Sequence, residues 1–419
     1  MNQMPLDQLT KVIKDAFNGA AKIIKCFQTF FIETMILYLS IQKRINFMQM
    51  SRFGNSCESR FRQNFQRKFD WVGYNSEFTS HMAGHRTALA IDPSYIDKSG
   101  KHTPGVGYFW SGCASSAKHG LEILDIAVID ADEKDAVHLK AVQTVDTVKV
   151  GRPPKYIAGM KNPNSLTAWY LRVLAQERDG LLKVNNVIAA DAFFSKESFV
   201  NGVITLGFHL ISRFRNDVSL KYLYTGQKTG KKGRPKEVDG KVDLNDLRKD
   251  VFRQESYDDG EGKSVTLYTA VVRATSLKRD VRVVIVDCTE PGKKTQTRKV
   301  FFSTDTEMSA RDIMDIYRTR FQIEFLLRDG KQFTGLTHCQ SRQKEALEFH
   351  FNMSLTAINV ARAFARQDNR NLSVANVKTL IHNAMMIHRF SVLSGKLPNK
   401  LLNTNDFKEL LYYGVANAA

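Results

Sequence analysis

The chain has 419 residues, of which 43% are hydrophobic and 25% are charged, and its formal net charge is +18 at pH 7. This composition excludes an intrinsically disordered protein and allows two or three domains with apolar cores. The excess of positive charge favours a polyanionic partner, either nucleic acid or an anionic membrane surface.

A membrane is the weaker of these two partners. The best apolar segment, Cys26–Ile41, is short and is interrupted by Gln28 and Glu33, so a buried helix is expected there. The N-terminus lacks the pattern of a secretory signal. The five cysteines are scattered without a CxxC pair, and this usage predicts a reducing cytoplasm.

Helical periodicity dominates the first 80 residues. Between Ile45 and Asp70, phenylalanines alternate with arginines and lysines, and Gly54-Asn55-Ser56 could form the turn of a helix-turn-helix with Ser56 or Ser59 as the following cap. Two interpretations stay open for this segment. It is either a DNA-docking motif or a helical domain with a solvated basic face.

From Arg86 the pattern changes to strands, followed by alternating helices and strands. The predicted strands are Thr87–Ile96, Leu121–Ile129, Ala136–Val145, Asn186–Ala190 and Phe208–Phe214, and the predicted helices are Leu166–Leu182 and a second one from about Lys196. Strands that come first and then alternate with helices predict an α/β (α+β) protein with a mixed sheet covered by helices.

A segment rich in Gly, Lys and Asp follows, with short β-rich runs at Val265–Val272 and Val281–Val286. We interpret it as a β-rich insertion, after which the strand Lys299–Ser303 returns the chain to the earlier domain. Three further helices are expected near the C-terminus, at Lys344–Arg366, Val374–Leu393 and Asp406–Tyr413.

These patterns predict five regions along the chain. They are a helical, basic domain expected to bind DNA (1–80), the first part of a mixed α/β core (81–214), the β-rich insertion (215–299), the second part of that core (300–366) and a C-terminal helical region (367–419).

The most informative segment runs from Tyr317 to Lys331. At about 100° per residue, Tyr317, Arg320, Glu324 and Lys331 would lie within an arc of about 60° on one helix face, unless Gly330 breaks the helix. Glu324 stands in an apolar run, where an ionised carboxylate is costly to bury without a cation or a metal ion. We therefore interpret Glu324 as a site residue.

Two other acids end apolar strands. Asp92 follows Thr87–Ile91, and Asp191 follows Val187–Ala190. Taken singly, each could be an ordinary strand-end aspartate. Together with Glu324 they can form an all-oxygen pocket, which suits Mg²⁺ or Mn²⁺ rather than zinc. In a basic protein, the natural substrate for such ions is a phosphodiester.

The spacing Tyr317-x2-Arg320-x3-Glu324-x6-Lys331 resembles the C-terminal signature of a large group of DDE transposases from bacterial insertion sequences. The order of Asp92, Asp191 and Glu324, with a β-rich insertion before the glutamate, is similar to that group as well. The resemblance covers roughly residues 86–366 and is looser in the N-terminal region.

The resemblance implies a ribonuclease-H-like core in which Asp92, Asp191 and Glu324 are catalytic and hold two divalent ions. It also implies that Tyr317, Arg320 and Lys331 grip double-stranded DNA near the cleaved end, and that the protein works as a homodimer on paired ends. Arg152 and Arg234 each lie in a Gly-Arg-Pro core that could enter a minor groove. Both could equally be in solvated loops.

The sequence thus predicts a cytoplasmic transposase that binds the terminal inverted repeats of its own element, cleaves them and joins the 3′ ends to target DNA. Two alternatives stay open. One is a ribonuclease-H-like nuclease or resolvase that cuts without joining, and the other is a non-catalytic DNA-binding repressor derived from a transposase.

Overall fold

The fold is known from a computed structural model of the whole chain. The structure describes residues 5–144, 155–157, 160–215, 217–226, 235–258, 264–288, 297–367, 372–395 and 405–416. Arg152 and Arg234 lie outside the described residues. None of the described helices combines the length and the apolar character needed to span a bilayer.

The helices in chain order are α1 (Pro5–Asp15), α2 (Lys25–Ser40), α3 (Phe47–Phe53), α4 (Glu58–Asn64), α5 (Trp71–Ser76), α6 (Leu166–Gln176), α7 (Arg178–Val184), α8 (Glu197–Thr205), α9 (Ala310–Thr319), α10 (Gln322–Gln332), α11 (Lys344–Gln367), α12 (Val374–Ser394) and α13 (Asn405–Tyr412). The strands are β1 (Thr87–Asp97), β2 (Gly107–Ser111), β3 (Ser116–Asp130), β4 (Asp135–Gln143), β5 (Val187–Ala189), β6 (His209–Arg213), β7 (Leu220–Leu223), β8 (Val238–Lys241), β9 (Arg253–Asp258), β10 (Ser264–Ala274), β11 (Arg279–Cys288) and β12 (Thr297–Ser303).

The twelve strands of the described residues form one mixed sheet, and helices pack against it. β1 is central, because it pairs antiparallel with β3 on one side and parallel with β5 on the other. β4 pairs antiparallel with β3, and β6 pairs parallel with β5. The order β4-β3-β1-β5-β6 confirms the predicted mixed sheet and is consistent with a ribonuclease-H-like fold.

The same sheet continues through β12, which corresponds to the predicted return strand Lys299–Ser303, into the strands of the predicted insertion. β12 pairs antiparallel with β6, and β11 and β10 follow it in hairpin order. β7, β8 and β9 complete this side of the sheet. Apolar residues of the insertion, such as Val283 and Ile285, are fully buried, and they belong to the same hydrophobic cluster as the first part of the sheet.

Helices from the two ends of the chain pack against each other. α2 contacts α11 and α12, and α5 contacts β4. Of the phenylalanines that alternate with basic residues between Ile45 and Asp70, Phe47, Phe61 and Phe65 are buried, whereas Phe53 is 37% exposed. Among the described residues, these contacts join the N-terminal helices to the rest of the chain, and the predicted domain boundaries stay a prediction.

The predicted cap of the Gly54-Asn55-Ser56 turn is wrong. α4 begins after Cys57, whose side chain makes no capping bond. Ser56 instead donates from Oγ to Glu33 Oε2 at 2.6 Å, and Glu33 Oε1 accepts the backbone N–H groups of Asn55 and Ser56 at 2.6 and 2.8 Å. A carboxylate from α2 therefore holds the turn, which local sequence rules cannot anticipate.

α11 covers the outer edge of β4 with two asparagines. Asn352 accepts the N–H of Ala141 and donates to its carbonyl, both at 2.8 Å. One heptad later, Asn359 makes the same pair of bonds to His138, at 3.1 and 2.8 Å. The amide side chains satisfy backbone groups that an uncovered edge strand would expose.

Candidate active site

The parallel pairing of β1 and β5 places Asp92 beside Asp191. Leu89 is opposite Ile188 and Ala90 is opposite Ala189, so continuing the register by two residues puts Asp92 opposite Asp191. Adjacent strands are about 4.8 Å apart and residues in register share a face of the sheet. Two carboxylates that are 99 positions apart in the sequence thus meet at one point of the sheet.

The orientation of Asp191 is held by the turn that follows β5. β5 ends at Ala189, and Asp191 caps a short 3-10 turn formed by Ala192–Phe194. Its Oδ1 accepts the backbone N–H of Phe193 at 2.9 Å. Ser212 Oγ, from β6, donates to the Asp191 carbonyl at 2.8 Å. The strand end is therefore tied to both its own turn and the neighbouring strand.

The segment with the four signature residues is not one helix. Its first helix, α9, is capped by Ser309, which accepts the N–H of Asp312 at 3.1 Å. The chain then leaves the helix at Arg320 and Phe321, between α9 and α10. The prediction of a single helix face from Tyr317 to Lys331 is therefore wrong.

The position of this break has a local cause. Thr319 Oγ1 donates to the Asp315 carbonyl at 2.8 Å, a bond that bends helices. Across the break the backbone makes tighter i to i+3 bonds, such as Glu324 N–H to the Phe321 carbonyl at 3.0 Å. Gly330, where a break was considered, stays helical and lies close to Leu355 of α11.

Arg320, at the break, joins two of the three predicted acids. Its guanidinium lies 3.7 Å from Asp92 Oδ1 and 3.3 Å from Glu324 Oε1. The arginine side chain is only 12% exposed. The Glu324 side chain is 39% exposed, so the arginine is buried whereas the glutamate end of this i,i+4 pair is open to solvent.

The electrostatic environment of Asp92 is unfavourable to its negative charge. Burial raises the pKa of Asp92 to about 7, Arg320 opposes this shift, and Glu324, Asp191 and Asp125 add to it. The contact with Arg320 thus does not offset the effect of burial and of the neighbouring acids together. A divalent cation would supply the missing positive charge.

Tyr317 and Lys331 border the same acids. The Tyr317 ring packs on Phe301 with the centroids 4.8 Å apart, and burial raises its pKa. Lys331 Nζ donates to Ser94 Oγ, two residues beyond Asp92 on β1, at 2.9 Å. Burial lowers the pKa of Lys331, and Asp92 acts in the opposite direction. The fold therefore brings together the six predicted site residues that lie within the described part of the chain: Asp92, Asp191, Tyr317, Arg320, Glu324 and Lys331.

The three acids are near one another without forming a tight cluster. Among the described residues, the set of three His, Cys, Asp or Glu donors that lie within 4.8 Å of one another is His85, Asp130 and Asp132. Two ions separated by about 4 Å, each about 2.1 Å from its ligands, need outer ligands up to about 8 Å apart. Three carboxylates bordering a common point suit that requirement.

The cluster of His85, Asp130 and Asp132 lies at the other end of β1, where Thr87 pairs with Asp130. Asp130 already accepts bonds from His85 Nδ1 and from the backbone N–H groups of Asp132 and Glu133. Asp132 is paired with Arg86. These contacts show that the cluster stabilises the turn between β3 and β4.

One acid beside the site was missed at the level of sequence. Asp125 is directly opposite Asp92 in the β1–β3 register. It is fully buried, and His138 Nδ1 lies 2.7 Å from its Oδ1. The signal was present, because Asp125 interrupts an apolar strand as Glu324 interrupts its helix.

Comparison with known families agrees with this geometry. Residues 161–360 match the family model of the transposase DDE domain. This segment belongs to the DDE transposase family. It contains Asp191 and the whole region from Tyr317 to Lys331, whereas Asp92 precedes it. A search of curated proteins finds no significant match to the chain.

The family supports a transposase, an enzyme class that acts on DNA and generally uses divalent metal ions. It also agrees with the mixed sheet, because the matched segment contains β5, which pairs with β1, and Arg320, which contacts Asp92.

Proposed function

We propose that this DDE transposase binds the terminal inverted repeats of its own insertion sequence, cleaves the DNA ends and joins the 3′ ends to target DNA. Asp92, Asp191 and Glu324 are the catalytic residues of this proposal. The observation that carries it is the register of β1 and β5, which brings Asp92 beside Asp191, together with the contact of Arg320 with Asp92 and Glu324.

The donor set fits two Mg²⁺ or Mn²⁺ ions, because all three side chains offer carboxylate oxygens and Asp92 lacks sufficient compensating charge. Asp92, Asp191 and Glu324 would hold the ions. Such ions activate a water molecule or a 3′-hydroxyl and stabilise the leaving oxygen of a phosphoryl transfer.

The chain's own cations orient the DNA. Arg320 presents a planar guanidinium suited to a phosphate, and it is held in place by Asp92 and Glu324. Lys331 provides a point charge next to β1 through its bond with Ser94. Tyr317, packed on Phe301, lies beside Arg320. These three residues therefore bind and position the strand that is cut.

The remaining features of the proposal rest on the resemblance to insertion-sequence transposases. They are a homodimer that holds two DNA ends in one complex and a cytoplasmic location in a bacterial cell, associated with the nucleoid. The described cysteines Cys26, Cys57, Cys113 and Cys339 are free thiols, which suits a reducing compartment.

The decisive experiment incubates the protein with a duplex that carries the flanking repeats of its genomic copy, with and without Mn²⁺, and resolves the products on a denaturing gel. We expect ion-dependent cuts at the repeat ends. Asp92→Asn, Asp191→Asn and Glu324→Gln should each abolish cutting while the binding of end DNA persists. Asp179→Asn, an exposed carboxylate on α7, is the matched control.

Precut ends separate the alternatives. Joining of precut 3′ ends to a target plasmid supports a transposase, whereas cutting without joining would make the protein a nuclease or resolvase. Binding without any ion-dependent cutting would make it a repressor. Normal cutting by any of the three acid variants would remove that residue from the catalytic set.

A further inference from the structure

A second cationic site lies at the far end of β1, beyond Asp92. The end of β1 at Asp97, the loop 98–106 and the loops before α3 and α11 enclose a cavity of about 460 Å³. We call it the β1-end pocket. Its titratable basic side chains are Arg44, Lys98, Lys101, His102, His338 and Arg342.

These cations are not neutralised by the protein. Among the described residues, no carboxylate oxygen lies within 4.0 Å of the charged groups of Arg44, Lys98, Lys101 or Arg342. Asp97 is the one acid that lines the pocket, and it accepts a bond from Tyr95 at 3.2 Å. An excess of unpaired cations around one cavity predicts an anionic ligand.

The pocket is also held in shape before any ligand arrives. The loop after β1 is closed by backbone bonds from Thr103 N–H to the Gly100 carbonyl and from Val106 N–H to the Thr103 carbonyl, both at 3.2 Å. On the other side, Ile45 N–H donates to His338 Nδ1 at 3.1 Å. The neutral His338 ring therefore carries its proton on Nε2 and is a hydrogen-bond donor there.

The groups in this pocket match a phosphate. Guanidinium and ammonium groups bind phosphate oxygens through charge-assisted hydrogen bonds. Burial lowers the pKa of Lys98, Cys339 opposes this shift and Arg44 adds to it, so Arg44 is close enough to Lys98 for the two cations to repel each other. An anion placed among them would relieve that repulsion.

The position of the pocket relates it to the candidate active site. Lys98 is six residues beyond Asp92 along β1, a distance of about 20 Å at 3.3 Å per residue. Lys331 lies between them, because it is bonded to Ser94. The cations thus follow β1 away from the acids. A DNA strand advances about 3.4 Å per nucleotide, so 20 Å corresponds to roughly six nucleotides.

We propose that the β1-end pocket binds a backbone phosphate of duplex DNA roughly six nucleotides from the bond that is cleaved. The distance from the cleaved bond rests on the proposed function, whereas the binding of a DNA phosphate does not. The pocket therefore extends the DNA contact surface from the acids to the loops that precede α3 and α11.

The first test measures binding of a 30-base-pair duplex of arbitrary sequence by fluorescence anisotropy over a series of salt concentrations. One lost phosphate contact lowers the slope of log K against log salt by about 0.9. We expect Lys98→Gln/Lys101→Gln to lower the slope by about one. The control Lys11→Gln/Lys14→Gln removes the same charge from α1 and should leave the slope unchanged.

An unchanged slope in the pocket variant, or an equal change in the control, would overturn the proposal. Thermal unfolding of both variants checks that each is folded. A titration with inorganic phosphate at constant ionic strength then tests whether the pocket binds free phosphate instead of a DNA phosphate. Tight phosphate binding to the pocket without any change in the DNA slope would make free phosphate the ligand and would also refute the proposal.

The second test uses a series of end duplexes, each with a single neutral methylphosphonate linkage at a different distance from the cleaved bond. The wild-type protein should lose affinity when the neutral linkage is roughly six nucleotides away, and Lys98→Gln/Lys101→Gln should lose none there. An equal loss in both proteins contradicts the placement. Failure of cleavage would affect only the proposed function, because the slope with arbitrary DNA does not depend on catalysis.

Discussion

The charge of Asp92 should make the metal-free protein less stable as the pH rises. The pKa of Asp92 is about 7 in the folded protein, compared with 3.8 for an ordinary aspartate, mainly because of burial. Between these two values the folded state binds more protons than the unfolded state. Stability is therefore highest below about pH 4 for this group, and it falls as the pH rises through 7.

The size of the effect follows from these two pKa values. Each unit of difference corresponds to about 1.4 kcal/mol, so ionising Asp92 between pH 5 and pH 8 costs roughly 2.6 kcal/mol. Because the Asp92 side chain is 21% exposed, water screens part of this cost, and we expect about 2 kcal/mol. Asp92→Asn removes the titrating group and keeps the shape of the side chain.

The assay is urea unfolding followed by circular dichroism at pH 5, 6, 7 and 8 with a chelator present. All other titrating groups are common to both proteins, so the difference between their profiles isolates Asp92. The free energy of unfolding of Asp92→Asn, relative to that of the wild type, should rise by about 2 kcal/mol between pH 5 and pH 8. Asp179→Asn, whose side chain is 90% exposed, should show no such gain.

A difference between wild type and Asp92→Asn that does not change with pH would refute the reasoning. It would mean that Arg320 compensates Asp92 fully and that the site needs no further cation. Excess Mg²⁺ is expected to reduce the difference in the free energy of unfolding between the two proteins at pH 8. Only the wild-type protein keeps all three carboxylates that would bind the ion.

Three further predictions concern the groups that hold the fold around the site. Burial lowers the pKa of His350 to about 3, so its NMR signals should stay those of a neutral ring down to pH 5. A titration midpoint near 6.5 would contradict its burial. Because the unfolded chain takes up a proton at this histidine below pH 6.5, the free energy of unfolding should fall as the pH drops below that value. Asn359→Ala removes the bonds to both backbone groups of His138 and should lower the unfolding free energy by about 2–4 kcal/mol in urea titrations, whereas the exposed control Asn186→Ala should change it little. Glu33→Ala should destabilise by about 1–3 kcal/mol because three donors lose their acceptor, and an unchanged urea midpoint would show that water replaces the carboxylate.

The local elements could be read from the sequence because their periodicity is strong. The predicted strand Thr87–Ile96 is β1 to within one residue, and the helix Lys344–Arg366 is α11 to within one residue. The short strands β2, β7, β8 and β9 were not predicted, because four to six residues with mixed polarity carry little periodic signal. The helix Leu166–Leu182 is interrupted at Glu177, between α6 and α7.

The candidate site was accessible from the sequence for a different reason. An ionisable side chain inside or at the end of an apolar run is costly unless something compensates it, and this anomaly marks Asp92, Asp191 and Glu324. The resemblance to a transposase signature then related the three acids to one another. Their catalytic roles stay a prediction until the variants are assayed.

What the sequence by itself determined is the inventory of the protein: a basic chain, a mixed α/β fold, and a small set of acids and cations at conspicuous positions. Only the tertiary structure decided how they meet. The register that puts Asp92 opposite Asp191, the contact of Arg320 with Asp92, and the continuation of one sheet through the predicted insertion all depend on pairings between distant segments. Local periodicity reports which face of an element is buried, but it carries no information on which distant element covers that face.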